Sequence, residues 1–492
     1  MTTDAASAPV TGALQMRDAA PPICQPVAQD IADPRRWAIL GLLLIVAFVA
    51  QVGFFVVNVA MVPISADFGG ANLSAVSWVL NVYAIVFASM LVPAGRVADL
   101  RGRKNILLAG VVVFTLASLI CALAPTLAIL IAGRAIQAVG AAMIVPTSLG
   151  LLYPSFPRRQ HIMVVGIWSG VSAVASPCGP LLGGLISSVS WRWIFLVNVP
   201  IGVLAVAVGA LLLPKVRQPV GSRLPEALSV GSLLTAVALL VLASVQGPVW
   251  GWDDGRVVGL FVAATAAGAL TVQRALRAQV PVIETCLFES SRFSAAAVAA
   301  FIYFGGSAVF VLGSTLYLQG AWHFSPLQAG LAMAPAAVAA AAFALCAGPI
   351  ATQFGPTAPA VAGTTLMSAA ALYWLVMVHD SVHYWTEMLP GLLIMGVSAG
   401  LSLAPMFAAA NTLPTDRATT GTAVINMSRQ VGTAVGVGVL VALTVGVAPS
   451  IGYPRAWTIQ AITGILAALI LLGGAAAARR TNSVTAPERY RS

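Results

Sequence analysis

Two arginines stand where a charge is least expected. Arg134 and Arg429 each lie inside an apolar stretch long enough to cross a bilayer. Placing an arginine at the middle of such a helix costs about 2.5–3.5 kcal/mol on insertion scales, so it is rarely kept without a role. Arginine stays protonated, so it can hold an anion or a carbonyl but cannot pass a proton on. Gln137 follows Arg134 by one helical turn, and Gln51 and Asn58 lie seven apart on one face of the first apolar stretch. Two readings follow. In one, Arg134, Gln137 and Arg429 face a ligand; in the other, carbonyls and the Gln51 and Asn58 amides satisfy Arg134. None of the fifteen Asp and Glu, and none of the four His, falls in the middle of an apolar stretch. Asp67 and Glu387 come at one edge and Asp99 at the other. Two fixed positive charges without a carboxylate favour neutral or anionic ligands over lipophilic cations.

Other patterns carry less chemistry. Tyr303, Ser307, Phe310, Ser314 and Tyr317 recur at i, i+4, i+7, i+11 and i+14, an aromatic and hydroxyl stripe that suits either a greasy ligand or packing. Gly166, Gly170, Ala173, Pro177, Pro180 and Gly184 make one small-residue face that admits a neighbouring backbone. Pro180 would bend that helix. Gly396-Val397-Ser398-Ala399-Gly400 matches a nucleophile-elbow pattern, but within an apolar run and without an intramembrane His or Asp partner. The five cysteines have no metal or redox spacing. No catalytic or metal constellation emerges, so an enzyme is not expected.

These residues need a frame of helices. Of 492 residues, 59% are apolar and only 8% charged, where a soluble domain carries about 25% charged residues. That excludes a water-soluble, disordered or collagenous chain. About 20 apolar residues cross a hydrocarbon core. The spans read as 37–61, 74–94, 105–124, 127–150, 161–188, 194–214, 227–246, 256–273, 293–319, 326–350, 357–378, 385–410, 420–446 and 456–477, fourteen in all. With the N-terminus inside, twenty of the 25 Lys and Arg fall in the cytoplasm, three outside and two within spans. The net charge of +10 is then a collar facing anionic lipid rather than nucleic acid. Residues 1–36 and 479–492 read as cytoplasmic tails, the first disordered and too acidic for a signal peptide.

Gly95-Arg96-Val97-Ala98-Asp99-Leu100-Arg101-Gly102 after the second span matches Gly348-Pro349-Ile350-Ala351-Thr352-Gln353-Phe354-Gly355 after the tenth, with Thr352 at the place of Asp99. This internal repeat implies two six-helix halves, 37–214 and 293–478. The linker 215–292 inserts two further helices, expected to be peripheral.

The Gly95–Lys104 loop resembles the cytoplasmic loop signature of major facilitator transporters, and Arg134-x-x-Gln137-x-x-Gly140-Ala141 is similar to their fourth-helix motif. Gly179-Pro180-Leu181-Leu182-Gly183-Gly184 resembles the antiporter motif. Trp191-Arg192-Trp193-Ile194-Phe195 through Gly202, Ser325–Gly330 and Arg429–Gly432 resemble the fourteen-helix drug:proton antiporter family of that superfamily. The resemblance spans about residues 37–446. It implies an all-α integral membrane fold of 14 transmembrane helices (6+2+6) in two pseudo-symmetric six-helix halves. It also implies a bacterial plasma-membrane exporter of amphipathic drugs or natural products, working by alternating access and driven by inward proton flow without a bound cofactor. By resemblance, Gly95, Asp99, Gly102 and Arg103 latch one face near Thr420, and Gly179, Pro180, Gly183 and Gly184 bend a gating helix. Where that family carries a helix-1 aspartate, this chain has Gly53. The expected partners are a small amphipathic substrate and membrane lipid, with no nucleic acid and the chain a monomer. A carrier for an anionic or neutral metabolite or lipid, not coupled to protons through helix 1, stays open, as does a ligand-binding sensor.

Overall fold

Without water to bond to, each backbone N–H and C=O in an apolar stretch must find its partner within its own segment, and the helix is the local solution. A computed structural model describes residues 33–484, apart from 59, 71–72, 162, 169, 172–181, 184–185, 187–188, 215–224, 279, 325, 379–381, 414–416 and 445–448. The helices are α1 (Arg36–Phe55), α2 (Met61–Asp67), α3 (Leu73–Arg101), α4 (Arg103–Ala122), α5 (Leu127–Ser155), α6 (Trp193–Leu196), α7 (Asn198–Leu212) and α8 (Ala227–Trp250). There follow α9 (Gly255–Arg277), α10 (Ser291–Gly320), α11 (Pro326–Phe354), α12 (Ala358–Met377), α13 (Leu389–Ala408), α14 (Ala418–Thr444) and α15 (Pro449–Val484). Among the described residues thirteen stretches are long and apolar enough to cross a membrane. The remaining expected span, 161–188, is only partly described, with helix over 163–168.

Several helices run past the edges that charge suggests. The second span is expected to end at residue 94, but α3 continues through Pro93 to Arg101. It stops where Gly102 takes φ 107°, a conformation that side chains rarely adopt. Gly355, at the matching place of the repeat, has φ 100°. Hydroxyl and carboxylate caps set other starts: Thr126 accepts from Ile129 N at 3.3 Å, Ser290 from Phe293 N at 3.4 Å, and Asp254 from Arg256 N at 2.8 Å.

Helices α1, α3, α4, α5 and α7 pack on one another, and α10–α15 form a second group. The groups share a pattern: α3 lies on α5 as α11 lies on α13, and α4 on α7 as α12 on α15. Helix α14 joins them by packing on α3 and α5. The inserted pair departs from expectation. Helix α9 is peripheral, but α8 lies against both α3 and α14. The reason is local: Gly438 on α14 leaves room for Trp252, whose ring also covers Gly247 of α8, so the two backbones draw close.

Candidate functional site

Arg134 is wholly buried on α5. Its Nε donates to the Val79 carbonyl on α3 at 3.0 Å, and its Nη1 to the Gly53 carbonyl on α1 at 3.3 Å and to Gln137 Oε1 at 2.6 Å. Gln137 Nε2 continues to Ser118 Oγ on α4 at 2.7 Å, which Asn198 Nδ2 on α7 reaches at 3.4 Å. The Tyr83 ring lies 4.1 Å from the guanidinium carbon, its hydroxyl donating to the Ala50 carbonyl at 2.9 Å. One cation thus ties α1, α3, α4 and α7 to α5. Gly53, in place of the family's acid, contributes its carbonyl. Among the described residues no carboxylate pairs with Arg134, and its Nη2 has no hydrogen-bond partner. Gln51 is buried, its Nε2 is unpaired among the described residues, and it makes no hydrogen bond to Arg134. The Asn58 side chain lies outside the described residues.

In the second group Arg429 on α14 stands over the Phe304 ring at 5.6 Å, its Nε unpaired. One turn earlier, Asn426 is wholly buried with both amide atoms unpaired among the described residues. The aromatic stripe on α10, which the sequence leaves open between a substrate face and packing, packs within the second group. Tyr303 hydroxyl meets Ser398 Oγ on α13 at 3.0 Å, and Ser307 Oγ points to Met367 Sδ at 3.9 Å. Phe310 stacks on Trp374 at 5.6 Å, and Tyr317 packs edge-on against Trp322, Tyr453 and Trp457. Ser314 is buried, its hydroxyl unpaired among the described residues. The stripe faces α12, α13 and α15 and holds the second group together, because aromatic rings gain most where other rings can cover them.

The two groups meet at the end that carries Arg96, Arg101, Arg103 and Lys104, called here the basic end. A Cβ on Gly95 would lie 2.6 Å from Ala423 Cβ and 3.1 Å from the Thr419 carbonyl, so only glycine permits this crossing of α3 and α14. Four residues on, Asp99 Oδ2 accepts from Thr420 N at 2.7 Å and Thr420 Oγ1 at 2.8 Å. Its other oxygen takes Arg103 Nε at 3.0 Å, while Arg103 Nη1 holds the Gly150 carbonyl at 2.9 Å. The carboxylate thus faces the first turn of α14, where unpaired N–H groups favour an anion. Tyr153 hydroxyl donates to the Phe407 carbonyl at 3.3 Å, and Trp168 meets the Phe407 ring at 5.6 Å. The hydrogen bonds described between the two groups all lie toward this end. In the repeat Thr352 turns back to the Pro349 carbonyl at 2.7 Å and crosses no seam. Of the expected gating helix, Gly179, Pro180 and Gly184 lie outside the described residues. A Cβ on Gly183 would lie 2.6 Å from the Val56 carbonyl, which sets that position tight against α1.

The edge acids are engaged too. At the opposite end Asp67 pairs with Arg192 and accepts from Trp191 Nε1 at 3.2 Å. The Arg192 hydrogen bond holds its carboxyl below the ordinary 3.8. Glu387 is buried in a single π-turn, Tyr384–Met388, with His383 Nδ1 at 3.5 Å. Ser398 of the elbow-like pattern is buried against Tyr303, and Gly396 and Gly400 are occupied by the α11 backbone, so this serine attacks nothing. Tyr83, Ser118, Asn426 and Tyr153 carry no sequence signal. Asn198 lay within the Trp191–Gly202 motif but was not singled out.

Comparison with known proteins accords with this architecture. The model of the Major Facilitator Superfamily matches residues 43–437 and 295–489. A methylenomycin A resistance protein of Streptomyces coelicolor is 35% identical over 391 residues, covering 78% of this chain and 80% of its own. A probable actinorhodin transporter of the same organism is 31% identical, covering 84% of this chain and 73% of its own. The crystal structure of a human organic anion transporter superposes with a TM-score of 0.67 at 14% identity, over 89% of this chain and all of that one, a likeness of fold. The paired helix groups, the Asp99 and Arg134 motifs and these matches lead to one conclusion: this multi-pass membrane protein is a transporter of the major facilitator superfamily.

Proposed function

We propose that this transporter exports amphipathic, neutral or anionic natural products or drugs from the bacterial cytoplasm, by alternating access and in exchange for protons. The basic end is then cytoplasmic, as are both termini, because basic residues are retained inside. The observation that carries the reading is closure at the basic end. Gly95, Asp99 and Tyr153 of one group are locked to Ala423, Thr420 and Phe407 of the other at the basic end. This arrangement suits a path closed to the cytoplasm. Arg134 and Arg429 supply fixed positive charge along that path, and the names of the relatives point to antibiotics as the substrate class. A second reading, a carrier not coupled to protons, is favoured by the pairing of Arg134 with the Gly53 carbonyl instead of an acid.

Everted vesicles with an acid interior and a fluorescent pH probe test both readings. Methylenomycin A, actinorhodin and ethidium are added in turn. Proton release with the first two but not with ethidium, lost in Arg134→Ala, is the expected result. Accumulation of either antibiotic without proton movement would replace antiport by the second reading. Ethidium transport in preference to the antibiotics would overturn the charge argument.

A further inference from the structure

The chain between α9 and α10 is held firmly at the basic end. Glu226 N donates to the Val280 carbonyl at 2.9 Å, and Val282 N to Ser229 Oγ at 3.0 Å, so the chain leaving α9 is tied to the start of α8. Arg274 on α9 closes the same corner on Glu226, its Nε donating at 3.1 Å. Val282 and Leu287 are buried on either side of Glu284. The inserted pair is therefore a mount, and Glu284 is what it presents.

Each oxygen of Glu284 meets a different group of helices. One accepts from Arg96 on α3, and the other from Nε of Arg417, the residue before α14, at 2.6 Å. Arg417 Nη1 also reaches Cys286 Sγ at 3.0 Å, and that thiol lies 3.3 Å from the Glu284 oxygen. The Arg96, Glu284 and Arg417 side chains are 8%, 17% and 32% exposed, beside an open cleft of about 540 Å³, so the Arg96 half is the more sheltered. That shelter matters, because ion pairs in open water hold little. Without the carboxylate, Arg96 and Arg417 would face each other across the seam as like charges.

We propose that Glu284 is a positioning residue of the transport cycle: a clasp, carried by the inserted helix pair, that holds the basic end closed by bonding one arginine from each group. It differs from Asp99, which joins α3 to α14 directly, and it makes the insertion a participant in the cycle. The proposal rests on the alternating-access reading, since only then must the clasp open and close.

Hydrogen–deuterium exchange of the full chain in liposomes tests it, comparing wild type with Glu284→Gln and Arg417→Gln. Both variants should speed exchange about tenfold in peptides covering 96–103, 150–156 and 404–424, on both sides of the seam, because a charge-assisted bond is lost from the closed form alone. Faster exchange confined to 278–290 would show that Glu284 only fastens its own loop, and would overturn the clasp. So would unchanged exchange in both variants. Flux of methylenomycin A by wild type in the same liposomes separates the two claims. Flux with exchange confined to the loop discards the clasp and keeps the exporter. Faster exchange across the seam without wild-type flux of any tested antibiotic keeps a closing clasp and discards the exporter.

Discussion

Replacing Asp99 by asparagine removes one charge and one acceptor from the seam while changing almost no volume. The carboxylate is 1% exposed and takes two hydrogen bonds from Arg103, at 3.0 and 2.9 Å, and two from Thr420, at 2.7 and 2.8 Å. The Arg103 bonds stay within one group of helices and persist whether the basic end is open or closed. Of the Asp99 bonds, only those from Thr420 would distinguish an open basic end from a closed one. An amide that keeps its oxygen toward Arg103 turns its NH₂ toward Thr420 N, donor against donor. One bond to a charged acceptor disappears and the other weakens, about 3 kcal/mol in all. At about 1.4 kcal/mol per tenfold, the closed form loses about a hundredfold of its advantage. Paired spin labels on the exposed Arg101 and Phe354 positions, at the basic ends of α3 and α11, read this directly when the other cysteines are replaced in both samples. Wild type should show mainly the short separation, and Asp99→Asn should gain a long one together with slower transport. An unchanged distance distribution in a variant that melts like wild type would refute the reasoning.

Three further outcomes are expected. Gly95→Val should force α3 away from α14 and move the same spin-label pair apart, and Ala423→Gly in that background should restore part of the short separation. Tyr317→Ala should lower the melting temperature, since truncating a buried aromatic costs about 3–5 kcal/mol, without altering which compounds are carried; altered selectivity at unchanged stability would return the stripe to the substrate path. Asp67 is held below its ordinary 3.8 by Arg192, so the pair contributes above that value and is lost as pH falls through the depressed one. Exchange of the 61–70 peptide should therefore rise only when the side that Asp67 faces is taken below about pH 3.8, relative to Asp67→Asn.

The membrane class, the helical fold, the repeat and the family motifs were legible in the sequence because each depends on short-range facts. Apolar runs bounded by charge give spans, and Gly102 and Gly355 mark the same turn in both halves. Charge marked helix ends less well. Helix α3 continues seven residues beyond residue 94 because Arg96 and Asp99 find partners in protein rather than water. The α10 stripe stayed open between ligand and packing for a related reason. Its period shows that one face differs from the others, but α12, α13 and α15, far along the chain, decide whether that face meets ligand or rings.

Arg134 shows the division most plainly. Its position within an apolar span is written in the sequence, and the cost of burying it follows from that alone. Which other groups would meet that cost is not, because Val79 and Tyr83 on one helix and Gly53 on another are brought to it only by folding. Glu284 is the converse. In the sequence it is an ordinary acid in a loop between spans, and its importance comes from the two arginines that close on it from either side of the seam. Local sequence sets what each helix must bury. The tertiary arrangement sets which partner satisfies each buried charge, since the strength of an ionic contact depends on distance and on the exclusion of water, and neither is a property of one segment.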